Sequence, residues 1–551
     1  MANSTIVHNG VVRVPAPYNE PAKDYAPGSP EAVRLYAELD RVKGEVRELP
    51  HVIGGERQFG GEQLELTAPH DHQHVLGRIS LADQKQVQAA IDAALAAQES
   101  WANTPWYERI AIFLRAADLV SGKFRDELLA TTMLHQSKTY HQAEIDICEL
   151  ADFFRYNAHN AAQIYEQQPV SPAGQWNVMD HRGLEGFVLA ITPFNFTAIA
   201  GNLPSTPAMM GNTVVWKPSE KSALSSDVVM RLFEEAGLPP GVINLVHGRG
   251  QEISEQAMAD ENFAGLTFTG SSAVFRSMWK TVGKNIDTYR AYPRLVGETG
   301  GKNAIVAHSS ADPEALLVAM VRSAYEFQGQ KCTAGSRAYV PRSIWNVLEA
   351  KLVETVKGLK VGDVTEHETY VGAVIDEAAA DRLENAIERA KALDSHTLLA
   401  GGTVRREKGW FVDPTLFVTE DPTAFTMKEE FFGPLLTVHV YDDAAEWGDI
   451  LKLVDGTSEY ALGGSIFARE HAAITEALSV LRNTAGMMYV NDKPTGALMG
   501  VQSFGGGRAS GTNDKTGSPL ALQRWVSGRY IKENMSPDLN WTYPYMGTAG
   551  N

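Results

Sequence analysis

Residues 187–195 read Phe-Val-Leu-Ala-Ile-Thr-Pro-Phe-Asn, an unbroken apolar run closed by a polar, proline-marked turn. Five apolar residues without alternation, followed by a breaker, describe a strand covered on both faces. Similar short runs recur at 213–216, 242–246 and 266–268, with helical stretches between some of them, as at 225–237. This alternation predicts an α/β fold with a parallel sheet, whose right-handed crossovers set the loops at the strands' C-terminal ends along one edge. Ligands bind along that edge in open α/β sheets.

A second alternating section follows Gly297, with strands at 303–307 and 337–340, a helix near 313–327, and further pairs on to 488–491. Two α/β domains meeting near 295–300 account for both sections: residues 1–169 with 183–296, and residues 297–510. Upstream, 80–154 is helical in pattern. Ser80 to Asp83 resembles a capping box ahead of a stripe of Val87, Ile91, Ala94 and Leu95. Two pieces stand apart, a polar, hairpin-like stretch at 170–182 and an aromatic tail at 511–551 with Trp541, Tyr543 and Tyr545. Both are expected to serve assembly into a homo-oligomer. Residues 1–30 are expected to be an extended arm lying on the domain surface.

Composition narrows the class. Hydrophobic residues at 44% and charged residues at 21% are the balance of a globular chain. A formal charge of -18 argues against non-specific nucleic-acid binding and against an acidic membrane surface. No apolar run approaches the roughly 20 residues needed to span a bilayer. Two cysteines cannot build a disulfide framework, so a reducing compartment is expected. The first 30 residues fit neither a secretory signal nor a transit peptide, which favours the cytoplasm over the alternative, a mitochondrial matrix.

Residues 327–337, Phe-Gln-Gly-Gln-Lys-Cys-Thr-Ala-Gly-Ser-Arg, hold Cys332 in a polar setting. Lys331 and a following helix start would both favour the thiolate. The segment 297–303, Gly-Glu-Thr-Gly-Gly-Lys-Asn, displays Glu298 among glycines at the domain junction, suited to a base that must swing. Asn195, directly after the 187–192 run, can offer an amide to a developing oxyanion or cap the next helix. Lys217 and Glu220, at the end of another run, can hold ribose hydroxyls or pair with each other. The stretch 267–272, Thr-Phe-Thr-Gly-Ser-Ser, is a strand, a glycine turn and a helix start that offers N–H groups to a phosphate, without the Gly-x-Gly-x-x-Gly pattern. Met-Lys-Glu-Glu-Phe-Phe-Gly-Pro at 427–434 adds paired acids and aromatics.

In this order the motifs resemble the NAD(P)-dependent aldehyde dehydrogenase superfamily over about residues 50–530. The resemblance rests on Phe-Asn at 194–195, Lys-Pro-Ser-Glu at 217–220, Phe-Thr-Gly-Ser at 268–271, Glu-Thr-Gly-Gly-Lys at 298–302, Gly-Gln-Lys-Cys at 329–332 and Glu-Glu-Phe-Phe-Gly-Pro at 429–434. It implies a Rossmann-type NAD-binding domain, an α/β catalytic domain and a small oligomerisation element. It also implies Cys332 as nucleophile, Glu298 as the base for the deacylating water, and Asn195 with the Cys332 N–H as oxyanion hole. Lys217, Ser219 and Glu220 would meet the adenosine ribose, Gly270, Ser271, Ser272, Ala273 and Val274 the pyrophosphate, and Glu430 and Phe432 the nicotinamide riboside. Glu220 would favour NAD over NADP by repelling a 2′-phosphate. Phe275 stands where the superfamily commonly has glycine.

Several stretches look like one branch, the Δ1-pyrroline-5-carboxylate (glutamate-γ-semialdehyde) dehydrogenases. They are 182–187 (Arg-Gly-Leu-Glu-Gly-Phe), 193–199 (Pro-Phe-Asn-Phe-Thr-Ala-Ile), 491–497 (Asn-Asp-Lys-Pro-Thr-Gly-Ala), 504–514 (Phe-Gly-Gly-Gly-Arg-Ala-Ser-Gly-Thr-Asn-Asp) and 143–146 (Ala-Glu-Ile-Asp). The branch implies oxidation of glutamate γ-semialdehyde to glutamate in proline catabolism, with a separate proline dehydrogenase supplying the substrate. By resemblance Thr333 and the Gly496–Ala497 loop would bind the α-carboxylate, Glu149 the α-ammonium, and Phe196 and Phe504 the aliphatic chain. Threonine and alanine stand at 333 and 497 where the branch carries serine, and Arg508 where the superfamily usually has lysine. Two rival functions remain at this level, an aldehyde dehydrogenase for another semialdehyde and a non-redox thiol acyltransferase or thioesterase. No metal is implied.

Overall fold

A computed structural model of the chain describes residues 10–547, so the first nine residues of the predicted arm and the last four of the tail lie outside the described residues. Two seven-stranded sheets form its frame. The first runs Arg294–Glu298, Phe263–Thr269, Phe187–Thr192, Thr213–Pro218, Ile243–Leu245, His51–Ile53 and Glu56–Gln58, the first five parallel and the last two added antiparallel. Every residue of Phe187–Thr192 and Thr213–Pro218 is buried, which is why these strands read as continuous apolar runs. Phe187–Thr192 lies in the middle, with the following two strands on one side and the two after those on the other. The winding therefore reverses between Phe187–Thr192 and Phe263–Thr269, and the turns carrying Asn195 and Gly270 leave the sheet at that crevice.

The second sheet runs His396–Ala400, Thr415–Thr419, Leu435–Tyr441, Gly335–Pro341, Asn303–Ala307, Gly463–Phe467 and Met487–Val490, parallel except for its first strand. The turns of interest here precede the strands: Cys332 stands before Gly335–Pro341 and Glu430 before Leu435–Tyr441. This sheet thus presents its N-terminal edge, whereas the first sheet presents its C-terminal edge. Asn303 stitches that edge, donating from Nδ2 to the carbonyls of Cys332 and Ala334 (2.8 Å each) and accepting from the Gly463 N–H (2.8 Å).

Four helices, Gln84–Ala102, Trp106–Ser121, Arg125–Gln136 and Tyr140–Tyr165, build the helical section. The cap of the first is Asp83 with Gln86, not Ser80, because Ser80 ends the strand Asp71–Ser80. The 170–182 stretch is not a hairpin by itself. Its strand Gln175–Arg182 pairs antiparallel with Ser527–Asn534 from the tail, leaving Trp176, Val178 and Tyr530 exposed. The tail is also not one piece: Leu522 and Trp525 are buried in the first domain's core, and Gly511 bridges to Glu298. Nor does the arm simply lie on a surface, since Tyr25 is buried and Asn19 and Glu20 bond into the long Tyr140–Tyr165 helix.

Candidate active site

Cys332 follows a tight 3-10 turn, Glu326–Gly329, in which Phe327 and Gln328 take left-handed backbone angles (φ 50° and 56°). Side chains rarely accept that region, and here neighbours hold it: Gln328 donates to the carbonyls of Ser137 and Ala373 and accepts from the Gly372 N–H. A turn, not a helix, then leads from Cys332 into its strand, so the expected helix start is absent. Lys331 is buried and donates to Glu326 (3.2 Å) instead of flanking the thiol in solvent. The thiol is 8% exposed and packs with Leu462, Met487 and Tyr489, against Ala497 and Phe504. Burial pushes its pKa above the usual thiol value, and the carboxylates of Glu430, Glu298 and Glu149 add to the rise. A thiol shifted this way gives up its proton less readily than a free one.

Glu298 ends the edge strand Arg294–Glu298 and is 5% exposed, held there rather than displayed on a loose junction. Neither carboxylate oxygen makes a well-formed hydrogen bond. Burial raises its pKa well above the carboxylate range; the Gly506 N–H draws it partly back, Asp514 adds to the rise and Lys515 opposes it. Lys515 reaches this neighbourhood by donating to the carbonyls of Gly486 and Gly505. A buried, unsatisfied carboxyl beside a thiol is equipped to take up a proton. Asn195, 3% exposed, donates from Nδ2 to the carbonyl of Gln330 (3.0 Å), which sets its amide beside the cysteine turn.

A cavity of about 280 Å³ opens on Cys332 and Glu298 and collects Glu149, Phe196, Thr333, Gly496, Ala497 and Phe504 among its walls. Burial and then Asp146 push Glu149 up to about 8, with Lys138 opposing. Thr333 shares a hydrogen bond with Thr495 (2.7 Å), a partner the sequence reading missed, and Gly496 takes φ 89°. Lys138 was missed too. It is buried, bonded to Asp146 (2.7 Å) and placed over the rings of Phe196 and Phe327 (4.1 and 4.5 Å). Asp146 in turn accepts from the N–H groups of Thr197 and Ala198, capping the helix that follows Asn195 and Phe196. The signal was available, an acid four residues before Leu150 in the quoted 143–146 stretch, but nothing local says what it faces.

The remaining candidates lie along the crevice. Lys217 donates to Glu220 (2.8 Å) at the end of Thr213–Pro218. Ser219 is engaged by Lys221 N–H and Ser272 by the Ala509 carbonyl, so both hydroxyls already have intramolecular partners. Gly270 leads to Ser271, which caps the helix Ser272–Lys284; Ala273 and Val274 are exposed in its first turn. A Cβ on Gly270 would come within 2.7 Å of the Phe268 ring, so the turn has room only for glycine. Phe275 points inward, stacked on Phe268 (5.5 Å) and against Gly297, and so fills core instead of facing a phosphate. Glu430 accepts from the Gly301 N–H (2.8 Å), and burial raises it to about 7. Phe432 sits at φ 53° edge-on to Phe194. A ribose-sized pair of polar groups, a glycine turn at a helix start and a buried carboxyl beside an aromatic fit a dinucleotide. Among the described residues no group of three or more His, Cys, Asp or Glu is placed to hold a metal ion.

Comparison with known proteins gives a consistent result. Residues 57–531 match the model of the aldehyde dehydrogenase family. The Mus musculus mitochondrial delta-1-pyrroline-5-carboxylate dehydrogenase is 45% identical over 530 residues, 96% of this chain and 94% of that one. The crystal structure of the Mycobacterium tuberculosis delta-pyrroline-5-carboxylate dehydrogenase bound with NAD superposes with a TM-score of 0.95 at 50% identity, covering 98% of this chain and all of that one. Proline utilization A from Bdellovibrio bacteriovorus, at 30% identity and TM-score 0.90, covers 95% of this chain, which spans 54% of that longer polypeptide.

Proposed function

We propose, since this chain belongs to the aldehyde dehydrogenase family, that it oxidises L-glutamate γ-semialdehyde to L-glutamate with NAD, in proline catabolism. The observation that carries the reading is the single cavity that joins Cys332 and Glu298 to Glu149 and to the 495–497 loop. One chamber then holds the reacting carbon at the thiol, an acid for an α-ammonium, and hydroxyl and backbone donors for an α-carboxylate.

Chemically, Glu298 takes the Cys332 proton and the thiolate adds to the aldehyde carbon, forming a C–S bond and an alkoxide. Asn195 Nδ2 and the Cys332 backbone N–H donate to that alkoxide, a contact of the kind worth about 10²–10³ in turnover per donor. Lys217, Glu220, the Gly270 turn, Glu430 and Phe432 would hold NAD, which would supply the acceptor for the hydride that leaves the carbon, and Cys332 would then carry an acyl thioester. Glu298 releases that first proton to solvent and then removes one from water, whose oxygen attacks the thioester carbonyl; the C–S bond breaks, the sulfur leaves as thiolate and glutamate departs. The apolar wall of Leu462, Met487 and Phe504 limits other water at the sulfur.

A panel of aldehydes with NAD, read by NADH absorbance, tests the reading. The semialdehyde is expected to have the highest kcat/KM; a preference for aldehydes lacking an α-amino group would sink the substrate claim. Acyl transfer without reduction of any nicotinamide would instead favour a thioesterase. We further infer a homo-oligomer built through the paired strands Gln175–Arg182 and Ser527–Asn534, whose exposed Trp176, Val178 and Tyr530 offer an apolar face, to be tested by light scattering. Pyrroline-5-carboxylate would come from a separate proline dehydrogenase. The mitochondrial naming of the mouse relative supports the matrix, and cell fractionation tests that against the cytoplasm.

A further inference from the structure

We infer that the N-terminal segment 19–25 is a wall of the aldehyde cavity, and that Asn19 is a positioning residue that sets the 496–499 loop and thereby the choice of α-amino-carboxylate aldehydes. The inference rests on the proposed substrate class. Glu20 and Ala22 line the same cavity as Cys332, although more than 300 positions separate them in the sequence. The segment is stitched down by buried charged and polar groups of the helical section. The Glu20 N–H donates to Asp152 (2.6 Å), and the Glu20 carboxylate accepts from Arg125 (2.7 Å), Arg155 (2.9 Å) and Ser121 (2.7 Å). The Lys23 N–H and the Tyr25 hydroxyl both donate to Glu144 (2.7 and 2.9 Å), which also pairs with Arg125.

Asn19 does something different. Its Nδ2 donates both to Asp152 (2.9 Å) and to the carbonyl of Met499 (2.9 Å), while its Oδ1 accepts from the Tyr156 hydroxyl (3.1 Å). Met499 is two residues beyond Ala497 and is itself buried on the cavity. One side chain thus ties the loop that would bind the substrate carboxylate to the helix that carries Glu149. The distance between those two groups is what measures an α-amino-carboxylate head. Releasing the loop lets that distance vary and spreads the binding energy over many geometries. An aldehyde without such a head never uses the distance.

The test compares Asn19→Ala with wild type in the full chain, using glutamate semialdehyde and propanal as substrates. The expected result is a KM for the semialdehyde raised about tenfold, with kcat, the KM for NAD and kcat/KM for propanal within about twofold. Tyr156→Phe removes only the hydroxyl that steadies Asn19 and is expected to raise the same KM about threefold, which keeps the test open should the alanine variant fold poorly. A semialdehyde KM unchanged in both variants, or equal losses on propanal, overturns the inference. A wild-type enzyme with no preference for the semialdehyde over propanal overturns the substrate reading first, and this one with it.

Discussion

Lys138→Met is expected to destabilise the protein by about 3 kcal/mol, the lower end of the ~3–5 kcal/mol for breaking a buried ion pair from one side. Lys138 is 1% exposed and Asp146 fully buried, so the substitution strands a carboxylate where water cannot reach it. The lower end applies because Asp146 keeps the N–H groups of Thr197 and Ala198 (2.9 and 2.8 Å), and methionine still fills the space between the two rings. The lost ring contacts belong to the same sum and are not added again. Burial holds the lysine pKa below its usual value and Asp146 only partly restores it, so desolvation outweighs the pairing. Removing both charges should therefore cost less than removing one: Lys138→Met with Asp146→Asn is expected to lose only about 1 kcal/mol, about 2 kcal/mol less than Lys138→Met alone. Thermal melting reads the effect as a drop of about 6–12 °C for the single variant. Phe196 lines the cavity and Phe327 lies in the turn before Cys332, so Cys332 alkylation by iodoacetamide should change in the single variant as well. A single variant melting within about 1 °C of wild type, or a double variant as damaged as the single one, would refute the argument.

Glu298→Gln is expected to slow the NADH burst as well as steady-state turnover by at least about 10²-fold, because Glu298 serves both the thiol and the water, and Cys332→Ala to abolish both phases; stopped-flow absorbance follows them. Because the Glu298 pKa is raised on folding, the unfolded chain ionises first as pH climbs above the ordinary carboxylate range, so that group's contribution to stability falls with rising pH and Glu298→Gln should flatten the slope in melting scans. With Glu149 at about 8, raising the pH through that value converts it to the anion that an ammonium needs, so product inhibition by L-glutamate should tighten from pH 6.5 to about 8.5 and Glu149→Gln should lose that trend. Glu220→Ser removes the carboxylate that would repel a 2′-phosphate, and the NAD over NADP ratio of kcat/KM should fall about tenfold or more, a ratio that stays put if Glu220 serves only Lys217.

The two sheets and the six ordered motifs could be read because strands buried on both faces leave unbroken apolar runs, and glycine turns leave unmistakable punctuation. Glu298 ends such a run, Asn195 follows one closely, and Cys332 stands just before another. What could not be read is whatever depends on a distant partner. Lys331 beside the thiol looked like its activator, yet the chain sends it to Glu326. Glu298 among glycines looked loose, yet Gly511, more than two hundred residues on, pairs with it. Lys138, Thr495 and Asn19 carry no local pattern at all; their roles exist only once the helix Tyr140–Tyr165, the cysteine turn and the 496–499 loop have met. Phe275 reads as a defect in a phosphate turn and proves to be core packing against Gly297.

The return of both chain ends to the same chamber bears on synthesis. Residues 19–25 leave the ribosome hundreds of residues before Gly511 beside Glu298 and Thr516 on the cavity wall. Strand Arg294–Glu298 waits on more than two hundred later residues before its base is enclosed, a separation that slows folding and prolongs exposure of unpaired edges. The thiol therefore stays in an open cup while more than 170 further residues are added. A nascent chain stalled before Gly511 should alkylate at Cys332 rapidly, and the released full-length protein slowly, so that closure of the reaction chamber is the last step in making the molecule.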